Sequence, residues 1–342
     1  MLDEPSIISK VDPKGMISQI ESLPEQIEKS KALTKSLAAI DKPKSIMILG
    51  MGGSGIAGDV FKDWLFGRIK IPITINKNQA IPRIGSDTLV IAISYSGNTK
   101  ETLLALNESL KKTDNVVCIA SGGKLIELCS KKGLKSVRLP TGYQPRCALG
   151  YLFGSLAQIV SNTDVYKGIE ELDEVVAHLK GLKVILTLNQ TTPNNPAKKF
   201  ALKLKDYTPI VYVYDGLSSC ANRWHTQLNE NAKMLAWWGS LPEMNHNEIN
   251  GFKKQAKKLH IVIIRDKKDH IRIRKRMTIT RKIIKQRTGV TELSTSGKDL
   301  LTRIFHTVYI GMYASYYLAL MNKVDPTPVP VIQELKGMLK GK

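Results

Sequence analysis

Residues able to do chemistry gather in a few short stretches. In RWHTQLNENAK (223–233) polar groups crowd an apolar setting, and Glu230 lies near the end of a helix. LPEMNHNEI (241–249) then offers Glu243, His246 and Glu248. A carboxylate and an imidazole on neighbouring segments suit proton transfer. From residue type alone, Glu230 reads equally well as a surface helix residue, and His246 as a histidine in a helix-cap region beside Asn245. His178, His225, His260, His270 and His306 read as structural, and Lys336 reads as a solvated lysine.

Two loops nearer the N-terminus suit anions. Gly50 to Gly55 spells GMGGSG, which fits G-x-G-x-x-G where a strand ends and a helix begins. Glycines there let the backbone approach a phosphate and aim helix amides at it. A dinucleotide site also wants an acid about 20 residues on. The next strand ends instead in Asn76 and Lys77, so NAD is disfavoured and an NADP-dependent oxidoreductase is a weak third reading. The second loop, SYSGNTKET (94–102), holds Ser94, Ser96 and Thr99 around a Gly97–Asn98 turn. Hydroxyls and amides at a helix N-terminus make a phosphomonoester cradle, although Ser and Thr also serve as ordinary caps there. Gly53, Ser54, Ser94, Ser96 and Thr99 are the candidate phosphate ligands.

The elements that must position these residues alternate between short apolar runs and helical stretches, the pattern of parallel α/β sheets. Strands are expected at 45–50, 71–76, 88–94, 115–120 and 136–140, with helices at 54–66, 99–112 and 124–132. The segment 147–180 reads as helical and bridges two halves, and TTPNNP (191–196) is a loop. The rhythm then repeats, with strands at 208–215, 234–238, 260–265 and 290–294. Helices are expected at 219–233, from about 270, at 299–321 and in PTPVPVIQELKGMLK. The expected domains are 1–152 and 153–342, two α/β halves of similar order.

Length and composition bound the class. A chain of 342 residues with 42% hydrophobic and 24% charged residues is ordinary for a globular protein of two domains. No apolar run reaches the length of a membrane span, and MLDEPSIISKVDPKGM lacks a signal-peptide core. A cytoplasmic protein is expected. Cys118, Cys129, Cys147 and Cys220 show no C-x-x-C spacing and read as reduced core thiols. No metal is expected, since histidines at ligand spacing are missing too. The formal charge of +21 is unusual, and much of it lies between Arg265 and Arg287. It reads as a solvated helix face. Without a zinc finger, an RNP-like strand or a helix-turn-helix signal, nucleic acid is not the expected partner.

Taken together, GMGGSGIAGD, SYSGNTKET, PRCALGYL (145–152), RWHTQLNENAK, PEMNHNEI and the LK-containing terminal helix resemble the bifunctional phosphoglucose/phosphomannose isomerases of archaea and some bacteria. The serine-rich loop alone indicates only a sugar isomerase (SIS) domain, which also occurs in regulators and amidotransferases. NENAK followed by PE-x-NHNE is more specific to the isomerases. The resemblance implies two SIS-type three-layer αβα domains with mainly parallel sheets, a homodimer with a site shared between subunits, and no cofactor. It also implies interconversion of glucose 6-phosphate and mannose 6-phosphate with fructose 6-phosphate through a cis-enediol. Glu230 is then the base, and Arg146 stabilises the enediol. His246 of the partner subunit assists ring opening, and Lys336 contacts the ring oxygen. A threonine of the family's C-terminal segment makes room for the mannose epimer. Thr327 is the candidate, but prolines blur the register and the role is not carried over. A non-catalytic sugar-phosphate sensor on the same domains is the competing reading.

Overall fold

The computed structural model describes residues 2–339. Three helices open the chain, α1 (Pro5–Val11), α2 (Met16–Glu21) and α3 (Leu23–Leu33). A first α/β unit follows, in the order β1 (Ser45–Gly50), α4 (Gly52–Leu65), β2 (Ile73–Asn76), β3 (Thr88–Ile93), α5 (Lys100–Ser109), β4 (Val116–Ala120), α6 (Gly123–Lys132) and β5 (Lys135–Arg138). Helices α7 (Leu149–Ser161), α8 (Glu171–Leu186) and α9 (Pro196–Leu204) lead to the second unit. This comprises β6 (Thr208–Tyr214), α10 (Ser218–Ala232), β7 (Trp237–Leu241), β8 (Leu259–Arg265), α11 (Ile271–Lys285), β9 (Gly289–Ser294), α12 (Leu300–Met321) and α13 (Pro330–Met338).

Both sheets are parallel throughout, in the orders β2-β1-β3-β4-β5 and β7-β6-β8-β9. Parallel strands covered on both faces read as unbroken apolar runs, and β3 and β4 are buried along their whole length. Side chains alternate between the two faces of a strand. Met47 and Leu49 therefore join Ala105 and Leu106 of α5 and Leu125 of α6, whereas Ile46 and Ile48 point the other way, into the largest core. That core is common to both sheets. Val211 and Val213 of β6 and Val262 and Ile264 of β8 enter it as well, and Tyr212, Ile261 and Ile263 pack with Met277 and Ile284 of α11 on the outer face. Each sheet is thus the middle of three layers.

Helix α12 runs through the shared core with nearly every side chain buried. Asp299 starts it, accepting a hydrogen bond from the Thr302 amide at 2.8 Å. Its Phe305 meets Phe153 of α7 edge-on at 5.0 Å, and the Thr307 carbonyl accepts from the Trp224 indole of α10 at 2.8 Å. Burial of each such side chain contributes about 1.5–3 kcal/mol. Helices α4 and α10 are also sewn to each other. Asp63 of α4 accepts from the Ser219 amide at 2.7 Å, and Asp59 accepts from Asn222 at 3.0 Å.

Three expectations need correction. The strand read at 234–238 lies at Trp237–Leu241. It is an edge strand paired only with β6, so its WWGSL sequence is half exposed and carries no apolar run. The apolar residues just before it serve as the connection, where Ala236 is buried. The helical bridge at 147–180 is two helices, separated by a turn at Asp164 with φ 58°, and the second continues to Leu186. The strand at 71–76 begins only at Ile73, because Pro72 has no amide to donate to the ladder. The basic stretch forms α11, whose charged side chains face solvent, and Arg265 and Arg281 share Glu292 at 2.7 and 3.0 Å. All four thiols are buried and free. The terminal helix is present through Met338, and Lys340, the end of the stretch read as helical, lies outside the described residues.

Candidate active site

Strands β1 and β3 are neighbours in register, with Gly50 opposite Ile93. The two anion loops therefore emerge side by side at the carboxyl edge of the sheet, where α/β folds place ligands. Ser54 ties them together, its Oγ accepting from the Tyr95 amide at 3.0 Å. Within the second loop Ser94 and Thr99 hydroxyls lie 2.9 Å apart. Thr99 is the N-cap of α5, yet its side chain does not cap the helix. The first-turn amides of α5 thus lack a side-chain acceptor, the condition that suits an anion. Ser96 is exposed at the loop tip and accepts from the Asn98 amide at 3.3 Å. Gly97 is obligatory on two counts. Its φ is +67°, and a Cβ there would lie 1.8 Å from the Gly122 carbonyl oxygen.

Gly53 explains where Arg146 sits. A Cβ at Gly53 would lie 3.0 Å from both the Arg146 Cα and amide nitrogen. The short 3-10 turn Pro145–Cys147 presses onto the start of α4 because this residue has no side chain. Tyr95 of the other loop holds the segment that leads into this turn. Its hydroxyl donates to the Pro140 carbonyl at 2.8 Å and accepts from the Tyr143 amide at 3.0 Å. The two anion loops and the arginine turn are consequently one hydrogen-bonded unit.

Arg146 is buried, at 2% exposure, and its guanidinium is fixed largely by neutral acceptors. Its Nε donates to Asn231 Oδ1 at 2.7 Å, and Nη2 donates to the carbonyls of Pro326 and Thr327 at 2.6 and 2.8 Å. Asn231 is held in turn by Ser315 of α12 at 3.0 Å. The carboxylate of Glu230 approaches from one side only, with Oε2 3.5 Å from Nη1. A guanidinium held this way keeps most of its charge for a developing oxyanion. Glu230 itself is half-buried near the end of α10. The arrangement places a carboxylate and a fixed cation together beside a phosphate-sized pair of loops.

Gly53, Ser54, Ser94, Thr99, Arg146 and Glu230 thus converge in one chain, with Ser96 at the rim. His246 and Lys336 do not join them. His246 is exposed in the 3-10 turn Glu243–His246, which Asn245 ties to Thr280 of α11 at 2.9 Å. Lys336 is on α13, every described side chain of which beyond Pro330 is exposed. The sequence reading missed Asn231 as the residue that aims Arg146, although it adjoins Glu230 in NENAK. It also left Thr327 unassigned, whereas the chain brings the buried Thr327 against Arg146. Lys77, the residue an NADP reading needs, is paired with Asp59 at 2.6 Å.

Comparison with known proteins places nearly the whole chain in a family. Residues 193–339 match the bacterial phospho-glucose isomerase C-terminal SIS domain, and residues 39–128 match the SIS domain. A bifunctional phosphoglucose/phosphomannose isomerase of Caldicellulosiruptor bescii is 36% identical over 334 residues, 95% of this chain and 98% of that one. The chain belongs to the bifunctional phosphoglucose/phosphomannose isomerase family. A relative of the same name from Thermoplasma acidophilum is 36% identical and spans 85% of this chain and 88% of its own. The family neighbourhood also includes a D-glucosamine-6-phosphate 4-epimerase of Sulfolobus acidocaldarius, 31% identical over 68% of this chain and 72% of that one. Among solved structures, a hypothetical protein of Thermus thermophilus superposes with a TM-score of 0.79 at 15% identity, covering 98% of this chain and 92% of that chain. At that identity the likeness shows the fold, two α/β units of the SIS type. No described helix is long and apolar enough to cross a membrane.

Proposed function

We propose that this protein interconverts glucose 6-phosphate and mannose 6-phosphate with fructose 6-phosphate. The observation that carries the reading is the Arg146–Glu230 pair at 3.5 Å, beside two loops that suit a phosphomonoester. The names of the relatives at 36% identity support it.

The phosphate is not cleaved, so Gly53, Ser54, Ser94, Ser96 and Thr99 supply binding energy that positions the sugar. Glu230 takes the proton from C2 of the open-chain aldose and returns it to C1, while the hydroxyl proton passes from the C2 oxygen to the C1 oxygen. A carboxylate lying over both carbons relays it without changing place. The electrons stay within the carbon skeleton, so no redox cofactor takes part. Arg146 stabilises the enediol oxygens as negative charge develops. Because the planar intermediate has lost the C2 configuration, turning it about the C2–C3 bond presents either face of C2 to the same carboxylate, and the two outcomes are glucose and mannose.

His246 of the partner subunit assists ring opening, and Lys336 contacts the ring oxygen. Supporting this assignment, both stand outside the Arg146–Glu230 cluster of their own chain. Val331, Leu335 and Met338 on α13 expose 74%, 57% and 67% of their surface, an apolar face suited to a second copy of the chain. The protein then acts as a homodimer.

A coupled assay for fructose 6-phosphate, run with each aldose, tests the proposal. Turnover of both is expected. Folded protein inactive on both aldoses, but able to bind fructose 6-phosphate, would support the sensor. Epimerisation of glucosamine 6-phosphate at C4, with no aldose–ketose exchange, would place this chain with its amino-sugar relative instead.

A further inference from the structure

Lys233 stands at the same site without a part in the chemistry above. It ends α10 in the left-handed region, with φ 54° and ψ 37° and its amide bonded to the Leu228 carbonyl. Glycine is the ordinary residue there, and a side chain in this conformation costs about 1–3 kcal/mol. The ammonium is engaged on both sides. It donates to the Glu230 carbonyl and, at 3.4 Å, to the Pro326 carbonyl. The same Pro326 oxygen accepts from Arg146 Nη2 at 2.6 Å. A carbonyl oxygen has two lone pairs, and here two cations share them. The Asp325–Thr327 segment, which also gives Arg146 its second carbonyl contact, is thus held by one cation from α10 and one from the Pro145–Cys147 turn.

We infer that Lys233 is a positioning residue, which clamps the Asp325–Thr327 segment onto the end of α10 and so keeps the Arg146 guanidinium in register with Glu230. The inference rests on the isomerase reading for its kinetic consequence, but the clamp itself is a structural claim. Its strength follows its charge, since a charged donor makes the stronger hydrogen bond. Three charged groups face the ammonium: Arg146 from the 3-10 turn, Glu230 from α10 and Asp325 from the segment after α12. Lys233 is exposed as a residue, but partial desolvation of its ammonium, then the neighbouring Arg146, lowers its pKa to about 8, against the opposing pull of Asp325 and Glu230. The clamp is fully charged below that pH and loosens above it.

Two measurements on the full-length protein separate the clamp from the isomerase reading. The first is hydrogen exchange of a peptide spanning residues 323–335. In Lys233→Met it is expected to exchange about tenfold faster at pH 7, and in the wild type its protection is expected to fall between pH 7 and pH 9 after correction for intrinsic rates. The second is the pH profile of kcat/KM. The wild type is expected to show a basic limb near pH 8. Lys233→Arg, which keeps its charge, is expected to shift that limb upward. Lys233→Met is expected to lose about tenfold in kcat with little change in KM, and to lose the limb. Unchanged exchange in Lys233→Met refutes the clamp, whatever the kinetics. Altered exchange with no turnover by the wild type refutes the isomerase reading and leaves the clamp standing. If Lys233→Met does not fold, Lys233→Gly removes the side chain while relieving the backbone, and the same outcomes apply.

Discussion

Replacing Gly53 by alanine isolates what the glycine loop is for. The added Cβ would stand 3.0 Å from the Arg146 Cα and amide nitrogen and 3.1 Å from the Pro145 carbonyl carbon. Carbon atoms rest at about 3.5–4.0 Å, so the arginine turn must withdraw by about 0.5 Å or more. These are backbone atoms of a turn whose Arg146 carbonyl is held by Arg223 and whose leading segment is held by Tyr95, and no flexible side chain can yield instead. Overpacking of this kind costs about 1–3 kcal/mol. A misplacement of about 1 Å can cost about a hundredfold in rate, so half that shift predicts a loss of roughly tenfold. The coupled assay should therefore show Gly53→Ala with kcat down about tenfold and a lowered melting midpoint. Its inhibition constant for a non-isomerisable sugar phosphate should stay near that of the wild type. Gly52→Asn is the control, since Gly52 has φ +50° and no heavy atom within 4 Å of a built Cβ, and asparagine tolerates that backbone. Wild-type kcat and stability in Gly53→Ala would refute the close-approach account. A loss confined to the inhibition constant would show that the glycine admits the phosphate and not the arginine turn.

Three further outcomes are expected. Glu230→Gln should lower kcat by at least a hundredfold, the scale of a lost general base, while calorimetry with fructose 6-phosphate shows binding retained; loss of both would make Glu230 structural. Inactive Glu230→Gln and His246→Ala subunits, mixed in equal amounts and allowed to exchange, should regain roughly a quarter of wild-type activity, because half the dimers then carry one intact site of two. No recovery despite proven exchange would place both residues in one chain. His306 of α12 meets His178 of α8 at 3.0 Å, and burial, then the charge of His178, lowers it to about 4. The unfolded chain binds that proton near 6.5, so between these values it holds more protons than the folded one and stability must fall as pH falls through the window. Urea midpoints at pH 7.5, 6 and 5 should reveal a loss of about 2 kcal/mol by pH 5. His306→Gln should flatten that slope, and an unaltered slope would refute the assignment.

What the sequence made legible follows from what each pattern encodes. Buried parallel strands announce themselves, and β1, β3, β4 and β8 lie where apolar runs predict. The edge strand β7 does not, because half its surface faces solvent and its hydrogen bonds go to β6 alone. The two candidate anion loops were legible because strand, turn and helix meet within ten residues. The contacts of Arg146 with Asn231, Pro326 and Thr327 span 85 to 181 positions, and no local periodicity records such a meeting. Asn231 could have been suspected from its place beside Glu230. Lys233 could not, since its function as a clamp depends on where the 325–327 segment comes to rest. His246 and Lys336 lie where one chain cannot complete them, and their roles remain the work of the resemblance and of the mixing experiment.

The antiparallel pairing of α4 and α10 has a consequence for selectivity. Asp59 with Asn222, and Asp63 with Ser219, fasten the two helices along one half of their length. The opposite ends carry the anion loop on α4 and Glu230 on α10. The two hydrogen bonds join the far halves of the helices, so the paired helices set the span between the proposed phosphate anchor and the carboxylate. The site then works as a calliper. On the proposed reading it sorts ligands by the span between their phosphate and the carbon that gives up its proton, and a chain one carbon shorter or longer is expected to turn over more slowly.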